Sequence, residues 1–401
     1  MSSPTQRAPA AYFTSRVRDL APSPTLAVSD RARQLKAQGI DVIDLGGGDP
    51  DFITPEHIRM AAIEAMNAGD THYVASAGIP GLRKAIADKL RADNGIEVDP
   101  NGGVIVTPGG KQALFEATLA FVETGVDVMI PEPAWVSYGP MVELAGGTAI
   151  PVPLDPDDNW RLTGDALANA WTPASRVLLI NSPNNPTGRV LDDTELAAIA
   201  TFAQERDLLV FSDEMYEKIL YDGQRHTSIA TLPRMSDRTL IFNGLSKAYA
   251  MTGWRLGYVA GPQAYLQQIE KVHSHSVTCA TSFVQKAGIV ALNGPQEFIG
   301  EMVSAWDRRR RNLADRLNSV NGINCPLVEG AFYAFADIRG TGMTSTEAAD
   351  LFLQEAHVAV TPGIAFGAAG EGHVRLSFAT SDELRERAAD RIGQVLGLEA
   401  A

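Results

Sequence analysis

The sequence predicts an α/β protein built on a mainly parallel sheet with helices on both faces. Short β-branched apolar runs recur from about residue 100, each followed by a stretch whose apolar residues return at helical spacing. Strands that are apolar throughout, rather than alternating, are those covered on both sides. Polar and ionisable residues stand directly after the runs, and ligands of such sheets sit beyond the carboxyl ends of the strands.

The elements come in chain order. "GVIVT" (103–107) leads to Gly109-Gly110-Lys111 and the helix-like "KQALFEATLAFVET". "DVMIP" (127–131) precedes the loop "PEPAWVSY", which carries Trp135. "RVLLINS" (176–182) runs into the turn-rich "PNNPTG" with Asn185, then into the helical "LDDTELAAIATFAQERD". "LLVFSD" (208–213) ends on Asp213, three residues before Tyr216. "TLIFNG" (239–244) precedes Ser246 and Lys247, with Arg255 eight residues further on. The chain ends read differently, with longer helical patterns and strands such as "AFYAFADI" (331–338) and "HVRLSFA" (373–379). We therefore expect a large domain over 50–290 and a smaller α+β domain from 291–401, joined by an N-terminal arm and small-domain segment over 1–49. The basic run Arg308–Arg311 reads as a solvated helix face.

Composition narrows the function. A chain of 401 residues is too long for one small core, and 45% hydrophobic with 20% charged residues is ordinary for a soluble protein. A net charge of −14 would be repelled by nucleic acid and by anionic membrane. Cys279 and Cys325 form no CxxC, and no leader-like or membrane-length apolar stretch occurs, so the expectation is a cytoplasmic protein. "GGK" is no phosphate-binding P-loop, because Ile105 and Gln112 stand where glycine and a hydroxyl residue are required. "GGGDP" lacks dinucleotide-binding spacing, and His273 and His275 are two apart, so no metal is expected.

A lysine at the end of a buried strand is partly desolvated, which favours the neutral, nucleophilic amine that condenses with an aldehyde. Pyridoxal phosphate is the common biological aldehyde held in this way, and its other requirements can be sought in turn. Asp213 offers a carboxylate for the ring nitrogen, while Tyr216 and Asn185 offer donors for the ring oxygen. Gly110 and Lys111 open a helix whose free N–H groups suit a phosphate, and Arg255 and Ser246 add a planar fork and a hydroxyl. Trp135 offers a face for stacking.

"SPNNPTG", "SDEMY" and "SKAYAMTGWRLGY", in this order and spacing, resemble the class I/II aminotransferases of the fold-type I pyridoxal-phosphate enzymes. The resemblance runs from "GGGDPDFITPEHI" to "VRLSFATS" and implies a seven-stranded sheet in the large domain. It implies that Lys247 is the Schiff-base lysine, and that Arg375 and the backbone of Gly48 bind the substrate's α-carboxylate. Trp135 and Asn185 would also meet substrate. Tyr73 resembles the tyrosine that reaches the partner subunit's phosphate, implying a homodimer with shared active sites. "SPTLAVSDRARQL", "YVASAGIPGLR" and "GGKQALF" are similar to the bacterial Iβ aspartate aminotransferase branch. In that branch a lysine at the position of Lys111 meets the distal carboxylate of acidic substrates. Ala21 stands where a basic residue would favour prephenate. The implied reaction is a ping-pong amino-group transfer between an L-amino acid, aspartate or glutamate first, and a 2-oxo acid such as 2-oxoglutarate. Rival readings are a transaminase of neutral, aromatic or basic amino acids, a C–S lyase on the same scaffold, and a regulator with an aminotransferase-like sensor domain.

Overall fold

The computed structural model describes residues 12–397. Twelve strands follow one another: β1 (Ile43–Asp44), β2 (Val104–Thr107), β3 (Asp127–Glu132), β4 (Thr148–Pro153), β5 (Ser175–Asn181), β6 (Leu209–Asp213), β7 (Thr239–Gly244), β8 (Gly257–Ala260), β9 (Tyr333–Asp337), β10 (Val358–Ala359), β11 (Thr361–Pro362) and β12 (His373–Ser377). Seven of them form one sheet in the order β2-β8-β7-β6-β5-β3-β4. β3 to β7 are parallel, β8 alone is reversed, and β2 pairs antiparallel to β8, so six strands share one direction. The apolar runs are covered: every residue of the central strands β7 and β8 is buried, and so is every residue of the edge strand β2.

Two strands of this sheet are not legible as apolar runs. β4, "TAIPVP", carries two prolines and buries only Val152, which suits an edge strand, and an edge is where it lies. β8, "GYVA", is four residues long and directly follows the Arg255 turn.

The C-terminal part builds a three-stranded antiparallel sheet, β11-β12-β9, beside the short parallel pair β1-β10. Leu45 N–H donates to Ala359 O at 2.9 Å and Ser377 N–H donates to Leu45 O at 2.7 Å. The segment after β1 is thereby stitched between β10 and β12. One apolar cluster joins Ile43 and Leu45 to Trp306, Phe332, Tyr333, Phe352 and Phe378, so both chain ends share a core.

The basic run corrects its expectation. Arg310 is only 3% exposed. It donates to Asp307, to Asp222 and to the Val328 carbonyl, and it lies over the Tyr221 ring at 4.4 Å. Arg309 is half-buried between Asp51 and Asp382, and only Arg308 and Arg311 fit the solvated reading. The helix Glu297–Asn318 is amphipathic, and Arg310 falls on the same face as Met302, Trp306 and Leu313. Periodicity, not charge, decides its burial.

A second buried charge pair joins the helix Pro80–Asn94 to the segment after β6. Lys89 donates to Glu217 and, at 2.8 Å, to Asn94 Oδ1, while Asn94 Nδ2 donates to Glu217 at 2.8 Å. Burial alone would push the Glu217 carboxyl up, but Lys89 and His226 pull it down to about 2. Glu214, Glu217 and His226 present ligand-type atoms within 4.8 Å of one another, yet Lys89 already neutralises Glu217. Removing Lys89 strands a buried carboxylate, so Lys89→Met should lose about 3–5 kcal/mol of stability at pH 7 in urea unfolding. Because the folded value is depressed, that contribution is present above the ordinary glutamate range and is lost as pH falls towards about 2. The difference between variant and native chain should shrink across that window; a difference that does not change with pH would contradict the assignment.

Candidate active site

Strand ends and glycine turns converge on a cavity of about 450 Å³. Gly48, Gly110, Lys111, Trp135, Asn185, Asp213, Tyr216, Ser246, Lys247, Arg255 and Arg375 all line it. Tyr73 does not; it is 86% exposed on the surface. Each lining residue has a local reason to be there. Asp213 is the last residue of β6, Ser246 and Lys247 follow β7, and Gly110 and Lys111 open the helix Gly110–Phe121 after β2.

Asp213 is buried beneath the cavity floor. Its carboxylate accepts the Tyr138 hydroxyl at 2.7 Å and the Met215 backbone N–H at 3.2 Å. Burial nevertheless pushes its carboxyl up to about 6. No cation touches it among the described residues, so a protonated ring nitrogen in the cavity would supply the missing partner.

Lys247 reaches across to donate to the Gly48 carbonyl. Arg255 sits in the left-handed region at φ 54° and donates to Thr252 O at 2.9 Å. A side chain on Gly109, itself at φ 87°, would begin 2.6 Å from the Arg255 guanidinium. The glycine therefore lets that planar fork lie against the helix start, where Gly110 and Lys111 each offer a backbone N–H and Ser246 a nearby hydroxyl. This cradle fits a phosphate.

Lys111 lies with its ammonium 4.7 Å over the Trp135 ring. Burial lowers its pKa, and the charges of Arg255 and Lys247 lower it further. The same end of the cavity is thus strongly cationic within a chain of net charge −14.

Arg375, the central residue of β12, is 3% exposed. It donates to Asn185 Oδ1 at 2.8 Å and to Gly46 O at 2.6 Å, while the Tyr333 and Phe366 rings lie 4.4 and 4.8 Å from its guanidinium carbon. Its Nε has no partner and no carboxylate touches it among the described residues. A buried guanidinium satisfied only by amide oxygens and aromatic faces is suited to an incoming carboxylate.

Sequence reasoning missed Tyr138, Tyr333 and the Gly46 carbonyl. Tyr138 stands three residues after Trp135, whose ring it meets edge-on at 5.2 Å, so helical spacing was the available signal. Tyr333 carried none, because its partners Tyr216 and Arg375 are 117 and 42 residues distant. It also missed Thr25, Leu26 and Ser29, which reach the cavity from the N-terminal helix Pro24–Ala37.

Comparison with known proteins agrees with this geometry. The family model "aminotransferase class I and II" matches residues 40–392. The chain is 46% identical over 382 residues to an aspartate aminotransferase of Musicola paradisiaca, covering 95% of this chain and 96% of that one. It is 43% identical to an aromatic-amino-acid aminotransferase of Thermococcus litoralis, covering 92% and 98%. The solved structure of Thermus thermophilus aspartate aminotransferase with maleate superposes with a TM-score of 0.91 at 41% identity, covering 96% of this chain and 99% of that one.

The raised carboxyl of Asp213 has a consequence in the ligand-free protein. A carboxyl whose folded pKa lies above its unfolded one contributes stability below about pH 4, and that contribution is lost as pH rises through about 6. Asp213→Asn should remove this loss, so its stability relative to the native chain should climb by on the order of 3 kcal/mol between pH 4 and 7. Parallel stability curves for the two proteins would contradict the burial of Asp213 away from a paired cation.

Proposed function

The chain belongs to the class I and II aminotransferase family, and we propose that within it the protein is a pyridoxal-phosphate-dependent, aspartate-type transaminase. The single observation that carries the reading is the convergence of Lys247, Asp213, Arg255 and Arg375 on one cavity. Pyridoxal phosphate, when bound, supplies an aldehyde that condenses with amines and a ring that takes up the electron pair left at a substrate Cα. The residues present fit that group: a buried carboxylate that no cation touches among the described residues, and a glycine-lined cradle under an arginine fork.

Lys247 would supply the amine that holds the aldehyde, and as a free amine it would move the proton at the substrate's Cα. Asp213 keeps a proton on the ring nitrogen. Tyr216 and Asn185 would donate to the ring oxygen, Trp135 would stack on the ring, and the backbone of Gly110 and Lys111 with Ser246 and Arg255 would hold the phosphate. Arg375 and the Gly48 backbone fix the α-carboxylate, which turns the Cα–H bond towards Lys247. Lys111 meets the distal carboxylate of aspartate or glutamate. The overall reaction is ping-pong, with 2-oxoglutarate as a fitting acceptor. These assignments rest on the convergence above and on the aspartate aminotransferases among the relatives.

We further propose the division into 1–49, 50–290 and 291–401, and a homodimer in which Tyr73 reaches the partner's phosphate. Supporting the dimer, Tyr73 is exposed together with Ile53, Met60, Ile63 and Met66, an apolar group that a second copy would cover. No described helix is long and apolar enough to cross a membrane. The two free cysteines and the acidic balance support a cytoplasmic protein that binds no nucleic acid.

Steady-state kinetics on three variants test the roles. Lys247→Ala should abolish turnover, and near-normal activity would refute the mechanism. Arg375→Ala should raise the Michaelis constant for every amino acid by about 10²-fold or more, the loss of a charge-assisted bidentate contact. Lys111→Ala should impair only dicarboxylic substrates, by about 10-fold or more. An equal loss on alanine and aspartate would remove Lys111 from substrate selection.

A further inference from the structure

Tyr333 lies where three parts of the site meet. It is 1% exposed, on β9, one strand away from Arg375. Its ring packs 4.4 Å from the Arg375 guanidinium carbon. Its hydroxyl stands 2.9 Å from the Tyr216 hydroxyl, with the two rings edge-to-face at 79°. It also abuts the backbone of Gly48, where any side chain would collide with it. Among the described residues neither hydroxyl has another hydrogen-bond partner.

In a pair of hydroxyls one donates and the other accepts. The guanidinium against the Tyr333 ring draws density from that ring and makes its phenol the better donor. Tyr216 then accepts, and its own proton is free to point into the cavity it lines. A donor that also accepts is a stronger donor, because bonds in a chain polarise one another.

We propose that Tyr333 is a positioning residue for both halves of the reaction. Its ring holds the carboxylate-binding guanidinium flat, and its hydroxyl orients the Tyr216 proton towards the cofactor's ring oxygen. The same side chain, through its fit against Gly48, sets the distance between those two groups. This rests on the function proposed above.

Two variants separate the ring from the hydroxyl, and both leave Asp213, Lys247 and Arg375, the charged groups around it, in place. The first readout is the pH midpoint of the visible band of the cofactor-loaded enzyme. A hydrogen bond to the ring oxygen stabilises its anion and so lowers that midpoint. Tyr333→Phe should therefore raise the midpoint by about half a pH unit or more while the Michaelis constant for aspartate stays within about threefold. Tyr333→Leu should instead raise the Michaelis constant for amino acids by about tenfold or more, with a smaller effect on kcat, because the guanidinium loses one aromatic face. The conservative phenylalanine keeps the ring, so it decides the hydroxyl's role even where the leucine variant folds poorly. A midpoint unmoved in Tyr333→Phe, or equal Michaelis constants in the two variants, would overturn the proposal. A native enzyme with no visible band would instead overturn the functional reading on which it rests.

Discussion

The structure depends on keeping one guanidinium charged in a dry place. Removing a cation from water costs several kcal/mol after relaxation, and a fully buried arginine without a carboxylate must recover that cost from weaker partners. Arg375 finds them in four segments far apart in sequence: the Asn185 amide, the Gly46 carbonyl and the faces of Tyr333 and Phe366. Each partner is fixed in turn. Asn185 follows β5, with its own N–H bonded to Asn181 at 2.8 Å. Gly46 follows β1, which β10 and β12 hold in register. Tyr333 is set by the β9-β12 ladder. Satisfying one side chain thus brings both chain ends to the edge of the large sheet.

The rest of the cavity has a consistent electrostatic plan. Lys111, Lys247, Arg255 and Arg375 line it, and Asp213 lies buried at its floor. An anionic, phosphorylated aromatic ring with a basic nitrogen would complement both features, its negative groups facing the cations and its nitrogen the carboxylate. Four cations on one cavity also suit molecules that bear one or two carboxylates. The strand ends supply the geometry, because a parallel sheet places all its carboxyl ends on one edge. β8, the reversed strand, contributes none of the chemistry; the Arg255 turn precedes it.

Much of this was legible in the residues, for physical reasons. The central strands are uniformly apolar because helices cover both faces. The polar residues just past their ends therefore stand out, and Asp213, Ser246 and Lys247 are among them. β4 escaped because it is largely exposed, so it carries no apolar run, and its prolines read as loop. Arg310 escaped because four consecutive arginines look solvated until the helical face of each is counted. Tyr138 and Tyr333 escaped because a hydroxyl's importance lies in its partner, and the partners arrive only through the fold. Arg375 was placed by resemblance; by pattern alone it is one cation in a strand.

The most direct test is a half-reaction followed by visible absorbance on the purified, cofactor-loaded protein with no oxo acid present. Single amino acids are added in turn, and the loss of the visible band reports amino transfer to the cofactor. The account requires aspartate and glutamate to bleach the band far faster than alanine, phenylalanine or arginine, with the band restored by 2-oxoglutarate. Fastest bleaching by a neutral or basic amino acid would contradict the acidic-substrate reading, and no bleaching by any amino acid would contradict transamination itself.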